Sequence, residues 1–178
     1  MSGSHGTQTP PGGASSEGSA PIRVAVVTVS DRASRGEYED RSGPRVEELV
    51  REAYAASQVT RVVVPDDMEQ IVTVLKEAVA NHADWIITTG GTGVGPRDIT
   101  VEATRQVITR ELPGIAEAIR AASLPETVTA VLSRGIAGIA ESTFIANLPG
   151  SVGGVETGMR IVAPVMAHAV AMREGGGH

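Results

Sequence analysis

The feature that most constrains this chain is a rhythm that sounds three times. An apolar, β-branched run is followed each time by a segment with an apolar stripe at helical spacing. Ile22 to Val29 (IRVAVVTV) is the first run, nearly continuous, as expected of a strand covered on both faces. A polar loop from Ser30 to Gly43 follows, and Pro44 can then take the first helical position, where its missing N–H costs nothing. Val46, Leu49, Val50, Ala53 and Tyr54 recur on one helix face. Val59 to Val64 reads as a second buried strand ended by Pro65. Asp67 with Gln70 three residues on fits a capping box, ahead of a stripe of Met68, Ile71, Val72, Leu75 and Val79. Trp85 to Thr89 (WIITT) is the third run, stopped by glycines. Buried strands joined through helices predict an α/β domain, a mostly parallel sheet with helices on both faces.

The remainder extends the pattern. Thr100 can cap a helix to about Arg110, and Pro113 can open another to about Ala122. Thr127 to Ser133 and Ser142 to Leu148 read as extended, and Ser151 caps a long last helix bearing Val155, Met159, Val162, Met166 and Val170. There is no internal repeat. Residues 1–21 are Gly, Ser, Thr and Pro with almost no large apolar side chain, so they are expected to be a disordered tail. Residues 22–173 make one domain of ordinary size, and 174–178 a frayed end. No run of about 18 apolar residues occurs, and no secretory signal is recognisable, so the expectation is a soluble, cytoplasmic protein with no membrane partner.

Composition removes several kinds of chemistry. The 178 residues include no cysteine, which excludes disulfide scaffolds, zinc ribbons, thiol nucleophiles and iron–sulfur sites. Of four histidines, His5 and His178 lie in the tails, and His82 and His168 sit on helical segments without a partner motif. A net charge of −6 argues against a nucleic-acid partner, and 2% aromatic residues leave no stacking platform. Lys76 is the one lysine, so cationic recognition falls to arginine, whose fork suits phosphate and carboxylate. Compositional bias produces the same pattern.

In a parallel sheet ligands sit beyond the carboxyl ends of the strands, which directs attention to the turns there. Gly90-Gly91-Thr92-Gly93-Val94-Gly95-Pro96-Arg97-Asp98 leaves the third strand. It is neither a Walker A loop nor a dinucleotide fingerprint, because no Lys-Ser/Thr follows and the glycine spacing differs. Its successive N–H groups, with Thr92 and Arg97, can cradle an anion, although a tight structural turn uses glycines too. Asp66 and Asp98 can converge on one crevice, and paired carboxylates beside a phosphate suit a hydrated Mg²⁺. Asp67 reads better as a helix cap. After the first strand, Ser30 and Arg32 can donate to oxyanions while Asp31 accepts from an amine or orients the arginine, or the three simply form a turn. Ser133 and Arg134 are an anion clamp or a loop. Asn147, Pro149, Gly150 and Ser151 lead into a helix N-terminus, which attracts anions.

Seven stretches, in order, resemble the MogA/MoaB family of molybdenum cofactor biosynthesis, which includes the G domains of Cnx-type proteins and gephyrin. They are VSDRAS (29–34), DRSGPR (40–45), VVPDD (63–67), TTGGTGVGPRDIT (88–100), LPGIAEAIR (112–120), LSRGIAG (132–138) and NLPGS (147–151). The resemblance implies a three-layer α/β/α domain, a homotrimer and a molybdopterin site. It further implies transfer of AMP from Mg-ATP to the terminal phosphate of molybdopterin, with release of pyrophosphate, ahead of a molybdate-insertion partner. The family's two essential aspartates fall on Asp66 and Asp98, expected to be catalytic and to hold Mg²⁺, and its glycine loop on Gly90 to Gly93. Ser30, Asp31, Arg32, Arg97, Ser133, Arg134 and the 147–151 turn are expected to contact substrate. Competing implications are a binding-only MoaB-like relative, a scaffold like gephyrin's G domain, and a CinA-type pyrophosphate hydrolase.

Overall fold

The computed structural model describes residues 21–175. Strand β1 (Arg23–Val29) leads into a single-turn α1 (Asp31–Ser34) and α2 (Ser42–Ala53). Next come β2 (Gln58–Val64), α3 (Met68–Ala80), β3 (Trp85–Thr89) and α4 (Thr100–Arg105). Then follow β4 (Arg110–Glu111), α5 (Pro113–Ser123), a 3-10 turn (Val128–Leu132), β5 (Ala137–Ala140), β6 (Thr143–Leu148) and α6 (Val152–Arg173). The sheet order is β2-β1-β3-β6-β5-β4. Strands β2, β1, β3 and β6 are parallel, while β5 runs antiparallel to both β6 and β4.

Alternation along the strands sorts the apolar residues into two layers. Val24, Val26, Trp85, Ile87, Ala146 and Leu148 pack with Val46 and Val50 of α2, Ile119 of α5, and Val155, Met159, Val162 and Met166 of α6. Their neighbours in sequence, Val27, Val29, Ile86 and Ile145, pack on the opposite face with Ile71 and Leu75 of α3 and Ala103 of α4. The mostly parallel, three-layer expectation therefore holds. The chain steps outward from β1 to β2 and then back past β1 to β3, so a crevice opens between the carboxyl ends of β1 and β3.

Several local expectations need correction. Strand β2 is an edge strand, exposed over most of its length with only Val64 buried, rather than a strand covered on both faces. Its Val run satisfies β propensity while pairing with β1 alone. Thr127 to Ser133 is extended only at its two ends, with a 3-10 turn between them. Helix α2 begins at Ser42, two residues before Pro44. Thr100 is the first helical residue rather than the cap, and α4 ends at Arg105 because Arg110 is needed in β4. Strand β5 (AGIA) escaped notice because it carries one β-branched residue; Glu141, at φ +52°, turns it back into β6. The proposed tail lies outside the described residues except for Pro21, as do the last three residues of the frayed end. No described helix is long and apolar enough to cross a membrane.

Candidate functional site

The turns that follow β1, β2, β3 and β6 all open at one end of the sheet. Ser30 continues the β1–β2 ladder, donating its N–H to Val64 O at 2.9 Å, and its hydroxyl caps α1 by accepting from Ala33 N. Beyond it the chain is tied by a reciprocal pair. Asp31 N donates to Asp66 Oδ2 at 2.9 Å, and Asp66 N donates to Asp31 Oδ1 at 3.0 Å. Arg97, from the glycine loop, donates to Asp31 Oδ2. Three strand-end loops are thus joined through one aspartate. Arg32 turns aside, its guanidinium lying 4.9 Å over the ring of Tyr38. Asp67 behaves as the cap, accepting from Gln70 N.

The glycine loop needs glycine for geometric reasons. At Gly90 (φ +94°) a Cβ would collide with the carbonyl oxygen of Val29, and at Gly91 (φ +63°) with the Thr100 hydroxyl. That hydroxyl donates to Gly90 O at 2.8 Å and fixes the turn. The two carboxylates press on the same loop from different sides. A Cβ on Gly91 would lie 3.4 Å from Asp66 Oδ1, and one on Gly93 would lie 2.9 Å from Asp98 Oδ2. Asp98 also accepts Gly95 N at 2.8 Å. Asp66 and Asp98, thirty-two positions apart, therefore both border the same glycine loop.

Electrostatics sets Asp66 and Asp31 apart. Burial pushes the Asp66 carboxyl above the ordinary range, and the charges of Asp31 and Asp98 add to the rise, against relief from the Asp31 N–H and Arg97. For Asp31 burial is the largest single influence and acts upward, but Arg97 and the Asp66 N–H together outweigh it and hold the carboxyl below the usual range. Among the described residues no group of three or more His, Asp or Glu is placed to hold a metal. The donor set at the loop is the pair Asp66 and Asp98, and a hydrated Mg²⁺ is the kind of cation that one or two carboxylates can hold, with phosphate and water filling its octahedron.

The other expected site residues divide. Thr92, Gly93, Ser133, Pro149 and Ser151 line a cavity of about 470 Å³ on one side of the loop. Ser151 caps α6 there by accepting from Gly154 N at 3.1 Å, so the positive end of a 22-residue helix borders the cavity. Ser30, Gly90, Gly150 and Ser151 line a second hollow of about 330 Å³ on the other side, with Tyr38 and Asp40. Arg134 and Asn147 have other tasks than the expected substrate contact. Arg134 donates to Gly93 O at 2.7 Å, to Asp98 O and to the Glu102 carboxylate, bracing the loop from behind. Asn147 is buried, its amide donating to Thr88 and Thr104 hydroxyls and accepting from Ile136 N.

Sequence reading missed Arg120, Glu126 and Thr157, which border the larger cavity. Arg120 donates to Gly135 O at 3.0 Å, while Glu126 accepts from Thr157 and from Arg160. Arg120 closes the LPGIAEAIR stretch, the one signal that pointed to it.

Known proteins resemble this chain along most of its described length. A family model described as a probable molybdopterin binding domain matches residues 25–168. The chain is 39% identical to a molybdopterin adenylyltransferase of Pyrococcus furiosus, covering 83% of this chain and 88% of that one. It is 37% identical to a molybdenum cofactor biosynthesis bifunctional protein of Synechococcus elongatus, covering 89% of this chain but spanning only 50% of that relative's length. Among solved structures, the molybdopterin biosynthesis Mog protein from Mycobacterium ulcerans superposes with a TM-score of 0.82. It is 39% identical, and the match covers 88% of this chain and 99% of that one.

Proposed function

The chain belongs to the MogA/MoaB family of molybdenum cofactor biosynthesis, and on that premise we propose that it is a molybdopterin adenylyltransferase. The observation that carries the reading is the meeting of Asp66 and Asp98, from separate strand ends, against one glycine loop. In the proposed reaction a terminal phosphate oxygen of molybdopterin attacks the α-phosphorus of ATP. The new P–O bond forms as the α–β bond breaks, and pyrophosphate leaves with the bonding pair. No protein nucleophile enters, so a chain without cysteine has all it needs.

The protein's work is positioning and charge neutralisation. Backbone N–H groups of Gly91 to Gly93 and the guanidinium of Arg97 would hold phosphate oxygens, the Gly90 N–H being taken by Leu148 O at 3.2 Å, with each charged hydrogen bond contributing roughly 1.5–3 kcal/mol. Asp66 and Asp98 would hold Mg²⁺, which supplies Lewis-acid relief of charge on the transferring phosphate. Asp66 Oδ1 is the oxygen left for that task, because Oδ2 is fixed by the Asp31 N–H. The cavity of about 470 Å³ beside the loop has the size of a small-molecule site, and its apolar wall and the α6 N-terminus suit a pterin bearing a phosphate.

On the same reading the protein is a cytoplasmic homotrimer that passes its product to a molybdate-inserting partner. These properties rest on the family resemblance, and light scattering tests the assembly. The deciding experiment for the reaction mixes protein, Mg²⁺, labelled ATP and molybdopterin. Release of pyrophosphate with a labelled pterin product is the expected result, and a molybdopterin carrier would give neither.

A further inference from the structure

Both carboxylate oxygens of Asp31 are committed within the protein. Oδ1 accepts the Asp66 backbone N–H at 3.0 Å. Oδ2 accepts two donors of Arg97, Nε at 3.1 Å and Nη2 at 2.6 Å. A guanidinium edge ordinarily gives one N–H to each oxygen of its partner. Here both donors converge on a single oxygen, while the other accepts the Asp66 N–H. The two sides of the pair also differ in freedom. The Arg97 side chain is 66% exposed and that of Asp31 only 24%, so the arginine is the movable member and the aspartate the anchored one.

Arg97 stands in the glycine loop, immediately before Asp98. A phosphate reaching that loop offers what Asp31 cannot, two unshared oxygens that match the Nε–Nη2 edge. We infer that Asp31 is a positioning residue that parks Arg97 at the mouth until a phosphate chain claims it. The guanidinium exchanges the lone Oδ2 of Asp31 for two phosphate oxygens, then returns when the chain leaves. Parking also confers selectivity. A weakly charged anion gains too little to displace the carboxylate, whereas a polyphosphate gains enough. This inference rests on the proposed reading of the mouth as a phosphate site, and it adds the arginine's resting partner.

The test uses the full chain, without metal or nucleotide, and inorganic tripolyphosphate titrated by calorimetry. Asp31→Asn keeps a carbonyl oxygen for the Asp66 N–H but abolishes the ion pair, and is expected to bind about tenfold tighter than the native protein. Arg97→Ala is expected to bind about tenfold weaker. The double variant should match Arg97→Ala within about threefold, because Asp31 acts through Arg97. A merely architectural Asp31 gives the opposite result, with weaker binding in Asp31→Asn and losses that multiply in the double variant; either outcome overturns the inference. Arg97→Lys leaves Asp31 untouched and removes the fork, so binding should weaken severalfold. Native affinity in that variant overturns the inference even if Asp31→Asn fails to fold. Native protein that ignores tripolyphosphate overturns it as well. The adenylyl-transfer reading is decided separately, by pyrophosphate release from Mg-ATP with molybdopterin.

Discussion

Asp66, half-buried, and Asp84, buried, lie at opposite ends of the same sheet, and each accepts a backbone N–H from a neighbouring segment. Burial alone raises the carboxyl of both. At Asp84 it is overcome: the Arg23 N–H at 2.8 Å and the Arg173 guanidinium at 2.9 Å hold the carboxyl below its ordinary range. At Asp66 it is reinforced, because the nearby side-chain charges are Asp31 and Asp98 as well as Arg97, and Arg97 is spent on Asp31. The amino end of the sheet uses a carboxylate as a rivet, joining β1, β3 and α6. The carboxyl end keeps one short of positive charge, as the proposed site for a cation and a phosphate chain would require.

The largest expected effect separates the two ends by activity. Asp66→Asn and Asp98→Asn should each lower kcat/KM for adenylyl transfer by about 10²–10³-fold, the scale for removing one preorganised electrostatic contact in a transition state. Asp84→Asn should leave kcat/KM within about twofold, since it lies across the sheet from the mouth. Steady-state pyrophosphate release measures all three. Equal losses at Asp84 and Asp66 would dissolve the division between rivet and site.

Stability should show the reverse order. Asp84→Ala leaves Arg173 without its buried partner, and loses about 3 kcal/mol in urea denaturation at neutral pH. The pH dependence has a definite sign. A carboxyl lowered on folding contributes stability above its unfolded value, near 3.8, and loses it as the pH falls through the lower folded value. The gap between native protein and Asp84→Ala should therefore close in strong acid. A gap that stays constant down to the acid limb would mean that packing, not charge, holds that end.

Arg134 lies between these extremes, because it braces the site without being placed in the mouth. Arg134→Met removes donors to Gly93 O, Asp98 O and Glu102. A loss of about 2 kcal/mol in stability is expected, together with a severalfold rise in KM for ATP and a smaller change in kcat. A kcat defect as deep as that of Asp98→Asn would move Arg134 into the site itself.

How far the sequence reveals these roles depends on what fixes each residue. The alternation of IRVAVVTV and WIITT with amphipathic segments makes the three-layer sheet legible, since burial on both faces leaves its mark on every position. Strand β2 carries the same Val-rich mark at a sheet edge, because propensity records the backbone and not the number of neighbours. Asp66 and Asp98 are legible as strand-end acids, but the direction of a polar side chain depends on partners distant in sequence. Asn147 and Arg134 look as suited to a ligand as Ser151 does, yet Thr88, Thr104, Gly93 and Glu102 claim them. Asp31 is the reverse case. Its neighbours suggest a turn, and only the folded chain brings Asp66 and Arg97 to it.

The smallest predicted effect is the sharpest probe of the comparison, because its sign runs against the usual result of mutation. A carboxyl raised on folding contributes stability below its unfolded value and loses it as the pH climbs through the folded value. At neutral pH the ionised Asp66 therefore costs the fold free energy. Asp66→Asn preserves size and a carbonyl oxygen for the Asp31 N–H, and removes the charge held near Asp31 and Asp98. The variant should melt above the native protein at pH 7, by a few degrees at most because solvent screens a half-buried charge. The advantage should shrink as the pH falls through the raised folded value and be gone below the unfolded value, near 3.8. Asp84→Asn must move Tm the other way at pH 7. A site built for a cation is relieved by losing its charge, whereas a rivet is weakened by the same change. If both variants lowered Tm alike, Asp66 would be a second rivet, and its like-charged neighbours would need another explanation.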